Sequence, residues 1–271
     1  MAAIWLTGET WFRVPDSIGI HLFGALRGGA EAKDLALSYV SRLGMDGGTY
    51  CALEFIGEGV KTFPMDDRLT LCNLSVETGA KTGMFYADDI TVQYLASVGQ
   101  KAGKQVPEPC TYRSELDLDL ADIVPLVAVS NRVDTVKPVQ DLAGQSIDQV
   151  FIGTCTNGRY SDLVRLAKIV KGRKVAVRTI VVPASRAVLA EAIRTGVLMD
   201  ITEAGCTIGT PGCGPCLGAH MGVLGEGEIC LSTANRNFKN RMGVGGEIYL
   251  SSVATAATSA LVGEITEPEA D

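Results

Sequence analysis

The chain has 271 residues, of which 46% are hydrophobic and 20% charged, and its net charge is −7. This length and hydrophobicity allow one large domain or two ordinary ones, each with a sizeable core. The negative charge and the absence of a Lys- and Arg-rich stretch exclude a nucleic-acid-binding or anionic-membrane-binding surface. Because no run of about 18 apolar residues is present, no transmembrane helix is expected.

The first thirty residues contain few elements. A helix is expected within residues 1–11 and a strand at residues 17–23, and these two elements cannot close a core by themselves. We therefore interpret residues 1–30 as the remnant of a larger first domain.

The second stretch, residues 31–112, is predicted to form an α/β domain. Apolar residues at helical spacing indicate a helix at its start, and a Gly-Gly turn then leads into a strand. Asp66 is the expected cap of a second helix. The predicted elements are a helix at 32–43, a strand at 50–56, a helix at 67–79 and a linker at 100–113.

The last stretch, residues 113–271, alternates strands and helices. This order predicts a mainly parallel sheet covered by helices on both faces, which makes the chain an α/β protein built of three-layer α/β/α units. Ligands of such sheets bind beyond the carboxyl ends of the strands. Beyond an extended stretch at 114–129, the predicted strands are 149–153, 175–182, 229–232 and 247–250, and the predicted helices are 161–171, 185–195, 197–204 and 253–262.

Three cysteines stand in loops suited to metal chemistry. Cys155 follows the predicted strand 149–153, and Cys213 and Cys216 lie in the sequence Gly-Cys-Gly-Pro-Cys. Three thiolates can hold an iron–sulfur cluster and leave one iron open. The spacing alone leaves two alternatives: a zinc site completed by Cys206 and His220, or buried free thiols. The remaining cysteines include three within apolar runs, which indicates free thiols in a reducing, cytoplasmic environment.

Two polar segments accompany the cysteines. Residues 235–241 present Arg236 and Arg241 beside Asn235, and guanidinium groups bind carboxylates through paired hydrogen bonds. Asn73 and Glu77 lie four residues apart and share one face of a predicted helix. Taken separately, the first segment is equally consistent with a solvated loop, and the second with a polar surface stripe.

Together these segments resemble the aconitase superfamily, and within it the large subunits of 3-isopropylmalate dehydratase and homoaconitase. Four segments carry the resemblance, in the order of the family and over most of the chain. They are 71–80 (LCNLSVETGA), 153–158 (GTCTNG), 212–216 (GCGPC) and 235–241 (NRNFKNR).

The resemblance implies an iron–sulfur hydro-lyase that moves a hydroxyl between neighbouring carbons of a di- or tricarboxylic acid, through an alkene. The expected substrate is 3-isopropylmalate, in leucine biosynthesis, and the alternative is homocitrate. The implied cofactor is a 4Fe–4S cluster with one iron free for substrate. The resemblance implies that the cluster ligands are Cys155, Cys213 and Cys216. It implies that Asn73 and Asn235 contact the cluster and its ligand, and that Glu77 lies near the open iron. It also implies that Arg236 and Arg241 bind the substrate's carboxylates.

The sequence departs from the family in two ways. It lacks the Asp-Ser-His motif of the family's N-terminal region, which predicts a truncated polypeptide or a misassigned start. His21 is expected to be structural, and His220 to orient the loop of the cysteine pair. The family's swivelling domain is also missing, so a separate small subunit is the expected partner. We therefore expect this chain to be inactive alone; the alternative from another class is a non-catalytic iron–sulfur or zinc protein.

Overall fold

A computed structural model describes residues 2–106 and 110–269 of the chain. The described part alternates helices and strands, as the sequence predicts. In chain order its elements are α1 (Ala2–Thr7), β1 (Asp16–Phe23), α2 (Ala32–Leu43), β2 (Cys51–Ile56), α3 (Met65–Ser75), β3 (Thr82–Phe85), α4 (Asp89–Ser97), β4 (Ser114–Asp119), β5 (Leu126–Ala128), β6 (Val136–Pro138), β7 (Gln149–Gly153), α5 (Thr154–Asn157), α6 (Tyr160–Val170), β8 (Arg178–Val182), α7 (Arg186–Arg194), α8 (Val197–Glu203), β9 (Thr207–Ile208), β10 (Ile229–Ser232), β11 (Glu247–Leu250) and α9 (Val253–Val262).

The strands form two sheets. The first has the order β3-β2-β1-β4, and the second has the order β6-β5-β11-β10-β7-β8-β9. Every pairing in the first sheet is parallel, and so are the pairings from β11 to β9 in the second. At one edge of the second sheet, β5 pairs with both β11 and β6 in the antiparallel sense. The expected α/β class with mainly parallel sheets is therefore confirmed.

A buried hydrophobic cluster joins the two sheets, and a second cluster lies on the other face of the second sheet. Side chains alternate between the faces of a strand, so Val150 and Ile152 of β7 pack with the helices α6 to α9, whereas Phe151 points to the opposite face. There Phe151 belongs to the same buried cluster as Ile18 of β1 and Leu35 of α2. The shared core fixes the position of α2 and α3 relative to the second sheet.

Two predicted helix starts were wrong. The helix expected at 67–79 with Asp66 as its cap begins at Met65, after Pro64, and ends at Ser75 before a 3-10 turn. Proline favours a helix start because its φ is fixed and it has no N–H to leave unpaired. The helix expected at 161–171 begins at Tyr160, because the carboxylate of Asp162 accepts the N–H of Arg159 at 2.9 Å and caps the turn one residue earlier.

The first sheet combines strands from all three predicted domains. β1 comes from the stretch 1–30, β2 and β3 from 31–112, and β4 from the stretch that begins at 113. The domain bounds stay a prediction. The helix expected within residues 1–11 is α1, which has no buried residue. No helix of residues 2–106 and 110–269 combines the length and apolarity needed to cross a bilayer.

A buried arginine joins α3 to α4. Arg68 is 1% exposed, and its two terminal nitrogens donate to the carboxylate oxygens of Asp88 at 2.7 and 2.6 Å. Asp88 also caps α4, since it accepts the N–H of Thr91 at 3.1 Å. The hydrogen bond from Arg68 lowers the pKa of Asp88 to about 2.

We expect the substitution Asp88→Asn to lower the free energy of unfolding by about 1.5 kcal/mol, because it leaves a buried guanidinium without its counter-charge. The expected loss is below that of a fully buried pair, since Asp88 is 35% exposed. Urea denaturation at pH 7 measures the change. Because the folded pKa is depressed, the wild-type advantage should disappear as the pH falls from about 4 towards 2.

The matched control is Asp89→Asn. Asp89 pairs with Lys104 at 2.7 Å, but the two side chains are 70% and 60% exposed, so the expected loss is below about 0.5 kcal/mol. Equal losses in the two variants would contradict the assigned role of Arg68.

Candidate functional site

The predicted site residues follow the carboxyl ends of parallel strands in the second sheet. Cys155 follows β7, the pair Cys213 and Cys216 follows β9, and the loop that carries Asn235 follows β10. Parallel strands place their carboxyl ends at one edge, so the three loops share that edge of the sheet. Asn73 and Glu77 reach the same edge from α3 and the 3-10 turn that continues it.

The turn that carries Cys155 (residues 153–158) wraps tightly around the end of β8. Gly153 has φ +136°, and a Cβ on it would lie 2.0 Å from the carbonyl oxygen of Val182. Thr154 adopts φ +66°, a left-handed conformation that is costly for a β-branched residue. Only glycine fits at 153, so this turn is fixed by sequence, and it leaves Cys155 exposed.

The loop of the cysteine pair (residues 209–218) reaches the same point from the other side. Gly214 has φ +51°, and a Cβ on it would lie 2.9 Å from Cγ2 of Val182. The N–H of Cys216 donates to the carbonyl oxygen of Cys213 at 3.0 Å, which closes a 3-10 turn. Both cysteine-bearing segments therefore contact Val182. Cys213 is exposed and Cys216 is buried.

Glu77 is the electrostatic centre of the site. Its side chain is 3% exposed, and its Oε1 accepts from Nε of Arg236 at 2.7 Å and from Nδ2 of Asn235 at 3.1 Å. Burial raises the pKa of Glu77, and the hydrogen bond and charge of Arg236 act in the opposite direction. A carboxyl group from the first half of the chain thus meets the predicted carboxylate-binding residues of the second half.

Cys216 belongs to the same network. Its sulfur lies 4.0 Å from Oδ1 of Asn235 and 3.6 Å from a terminal nitrogen of Arg241. Nε of Arg241 is buried without a hydrogen-bond partner in the described part of the chain. A buried donor of this kind requires an acceptor, and a sulfide or a carboxylate oxygen would supply one.

Asn73 connects α3 to the Cys155 turn. Its Oδ1 lies 3.5 Å from Oγ1 of Thr156, a long contact, and Oγ1 of Thr70 donates to the carbonyl oxygen of Thr156 at 2.9 Å. With the contacts of Glu77, these interactions connect Cys155 to Cys216 through α3. Contacts therefore link the Cys155 turn, the segment of Asn73 and Glu77, and the loop of residues 235–241 with Cys216.

The donors of this region can be compared with those that an iron–sulfur cluster needs. All eight cysteines are free thiols, and two of the three predicted ligands are exposed. Within residues 2–106 and 110–269, no three His, Cys, Asp or Glu side chains are arranged to hold a single metal ion. The same finding applies to the zinc set Cys206, Cys213, Cys216 and His220 and to the three predicted cluster ligands. A cubane is bound differently, because each of its cysteines binds a separate iron, and free thiols with the unpaired Nε donor of Arg241 are groups of the type that such a cluster takes.

A cleft of about 1010 Å³ extends the region from Cys155 towards α7. Cys155 and Asn73 line it together with Arg159, whose terminal nitrogen donates to the carbonyl oxygen of Cys155 at 3.0 Å. The predicted site thus has an open side on which a small molecule can approach Cys155.

Lys33 was not among the predicted site residues. This lysine of α2 is fully buried, and its Nζ donates to the carbonyl oxygens of Thr233 and Ala234 at 2.9 and 2.7 Å. Burial lowers the pKa of Lys33 to about 7, against the opposing charges of Asp34 and Glu77. The available signal was the Lys-Asp pair in the first turn of a helix whose next residues are mostly apolar.

The two histidines lie outside this network. Nε2 of His21 is 2.7 Å from Oε2 of Glu115, a partner consistent with the expected structural role. His220 is exposed, and its expected role in orienting the loop stays a prediction.

The chain was compared with known protein families and proteins. The model of the aconitase family (aconitate hydratase) matches residues 1–146 and 135–263. A probable methanogen homoaconitase large subunit of Methanosarcina mazei is 51% identical over 99% of this chain and 69% of that protein. The 3-isopropylmalate dehydratase large subunit 1 of Methanopyrus kandleri is 49% identical over 99% of this chain and 65% of that protein.

A third relative, the methanogen homoaconitase large subunit of Methanocaldococcus jannaschii, is 47% identical over 98% of this chain and 66% of that protein. The chain thus spans about two thirds of the length of the curated relatives it matches. The family model covers most of the sequence, and the resemblance stated from the four motifs is confirmed. The chain belongs to the aconitase family.

Proposed function

We propose that this chain is the cluster-bearing part of the large subunit of a hydro-lyase that isomerises a hydroxy di- or tricarboxylic acid by dehydration and rehydration. The observation that carries the proposal is the contact of Glu77 with Asn235 and Arg236 beside Cys216. It joins three of the four sequence segments that resemble the family. We further propose 3-isopropylmalate as the substrate, with homocitrate as the alternative.

In the proposed site, Cys155, Cys213 and Cys216 hold a 4Fe–4S cluster. Such a cluster, when bound, supplies a Lewis acid that withdraws charge from a departing hydroxyl oxygen. The support in this chain is the shared contact of both cysteine segments with Val182 and the buried, unpaired donor of Arg241.

Arg236 and Arg241 bind and orient the substrate's carboxylates. Each guanidinium presents several donors in one plane, which suits a carboxylate better than an ammonium does. Fixed carboxylates hold the carbon that loses its proton and the neighbouring carbon that loses hydroxide in one orientation. The amides of Asn73 and Asn235 complete the hydrogen bonds of a site in which bulk water is largely displaced.

Glu77 carries a proton in the proposed reaction. Burial raises its pKa, which brings a carboxyl group closer to the range in which it can both donate and accept at neutral pH. In the dehydration step, a base on the proposed small subunit accepts the proton from one carbon, and Glu77 donates a proton to the hydroxyl that leaves the neighbouring carbon as water. The electron pair of the broken C–H bond forms the alkene. The addition of water in the opposite orientation completes the isomerisation.

A small subunit is the proposed partner. The relatives are named large subunits, which implies a second chain in those proteins. We propose that the partner carries the swivelling domain and the base that removes the proton from carbon. The proposed setting is the cytoplasm, where the free thiols of this chain would stay reduced.

We expect anaerobic reconstitution with iron and sulfide to give a brown protein with broad visible absorption, and the variant Cys155→Ser to lose it. Cys206→Ser is the control, because Cys206 is buried outside the proposed ligand set. The absorption spectrum and the iron content per chain are the measurements. A colourless protein that takes up zinc in stoichiometric amount would instead support the zinc alternative.

Thiol alkylation tests the ligand assignment independently. In the metal-free chain we expect rapid labelling of the exposed Cys110, Cys155 and Cys213, but slow labelling of Cys206 and Cys230, whose pKa burial raises to about 11 and 12. After reconstitution, mass spectrometry should find Cys155 and Cys213 protected while Cys110 still reacts. Unchanged labelling of Cys155 and Cys213 would refute their assignment as ligands.

Carboxylate binding tests the role of Arg236. Calorimetric titration of the reconstituted chain with 3-isopropylmalate should show binding that Arg236→Lys weakens by about 10-fold or more, because a charge-assisted, paired hydrogen bond is lost. Lys239→Gln, a change of an exposed cation in the same loop, should leave the affinity within about 2-fold. Tighter binding of homocitrate would favour the alternative substrate, and equal effects of the two variants would contradict the role.

A further inference from the structure

The buried ammonium group of Lys33 connects the two halves of the site. Lys33 lies in the first turn of α2, whereas its acceptors, Thr233 and Ala234, begin the loop of residues 233–241 in the second half of the chain. These two carbonyls directly precede Asn235 and Arg236. The contact spans 200 residues of sequence and is fully buried.

The two carbonyls that Lys33 binds belong to consecutive residues. In an extended strand, successive carbonyls point in opposite directions, so one ammonium group can bind both only where the chain turns. Since a peptide group is planar, fixing the carbonyl of Ala234 also fixes the N–H and Cα positions of Asn235. Lys33 therefore fixes the backbone position from which the segment with Asn235 and Arg236 starts.

The first residue of the same loop, Thr233, is also held by the second sheet. The N–H of Thr233 donates to the carbonyl oxygen of Phe151 at 2.9 Å, and Oγ1 of Thr233 accepts from the N–H of Gly153 at 2.9 Å. Those contacts fix the loop to β7 but not to α2 or α3. Lys33 supplies the link to the half of the chain that carries Glu77.

Lys33 also differs from its neighbour Asp34 in what it binds. Asp34 accepts the N–H groups of Glu31 and Leu126, both at 2.8 Å, and so caps α2 and holds β5. Lys33 instead donates to the two carbonyls that directly precede Asn235 and Arg236. Burying an ammonium group costs several kcal/mol, and an apolar residue of similar length would fill the same space without that cost. The directed hydrogen bonds are what an apolar residue could not supply.

We propose that Lys33 is a positioning residue, which holds the carbonyls of Thr233 and Ala234 so that Asn235 and Arg236 meet Glu77 and face the substrate. The role towards substrate rests on the proposed function, whereas the contacts of Lys33 with the two carbonyls do not. Lys33 does not touch the reacting atoms; it acts through the peptide groups of the loop.

The test compares Lys33→Met, Lys33→Arg and the control Tyr39→Phe in the ¹⁵N-labelled chain. Tyr39 is also buried on α2 and donates to a single backbone carbonyl, that of Leu71, at 2.6 Å. Its loss should lower the melting temperature without moving the loop of residues 233–241. Lys33→Met removes the donors at nearly constant length, and Lys33→Arg restores a cation with donors.

The readouts are the side-chain NMR signals of Arg236 Nε–H and Asn235 Nδ2, assigned by substitution, in the metal-free chain. We expect Lys33→Met to shift both signals towards solvent-exposed values, Lys33→Arg to recover at least half of the shift, and Tyr39→Phe to leave them unchanged. Unmoved signals in Lys33→Met, or an equal shift in Tyr39→Phe, would overturn the proposal. Should Lys33→Met fail to fold, Lys33→Leu, which also lacks side-chain N–H donors, takes its place under the same criteria.

Affinity for 3-isopropylmalate in the reconstituted chain is the second readout. We expect about a 10-fold loss in Lys33→Met and at most about 2-fold in Tyr39→Phe. If the wild-type chain binds neither cluster nor carboxylate, the proposed function fails, yet the NMR comparison still decides the role of Lys33. If the wild type binds and Lys33→Met binds equally well, the positioning role fails alone.

Discussion

The buried carboxylate of Glu77 constrains the rest of the site. It comes from the first half of the chain, and its nearest partners, Asn235 and Arg236, come from the second. A charge at 3% side-chain exposure needs partners to offset its desolvation, so the two halves cannot move apart without a large cost. Asn235 extends this contact to Cys216, whose sulfur lies 4.0 Å from Oδ1 of Asn235 and 3.6 Å from a terminal nitrogen of Arg241.

The fold explains why a few hydrogen bonds are enough to hold the two halves of the site together. Parallel strands deliver the Cys155 turn, the loop of the cysteine pair and the loop of residues 233–241 to one edge of the second sheet. The shared core through Phe151 and Leu35 holds α2 and α3 against that sheet. Lys33 then fixes the loop to α2, so that Glu77 finds its partners. Packing sets the distance between the halves, and hydrogen bonds set the direction of the side chains.

Much of this fold could be predicted from sequence because its signals are local. The apolar runs at 149–153 and 229–232 are β7 and β10, and the helix predicted at 185–195 is α7, with Ser185 as its cap. Helix starts were harder to predict, since Pro64 and Asp162 place them at Met65 and Tyr160 and not at the expected residues 67 and 161. The motifs identified the residues of the site, but the geometry of Glu77 and Arg236 depends on contacts across 159 residues.

Lys33 escaped prediction for a different reason. Lysine is almost never fully buried, so a pattern-based reading places it at the surface. Only the folded chain reveals two carbonyls that can satisfy it. Buried charges of this kind carry information about a site that hydrophobic periodicity cannot provide.

The central claim is that three cysteines from two separate strand ends bind one cluster and leave one of its irons without a thiolate. A Mössbauer spectrum of the chain loaded with enriched iron tests this most directly. The account predicts one iron site that differs from the other three and that alone changes when a hydroxy dicarboxylate is added. Four equivalent irons, or iron bound only as single ions, would contradict it.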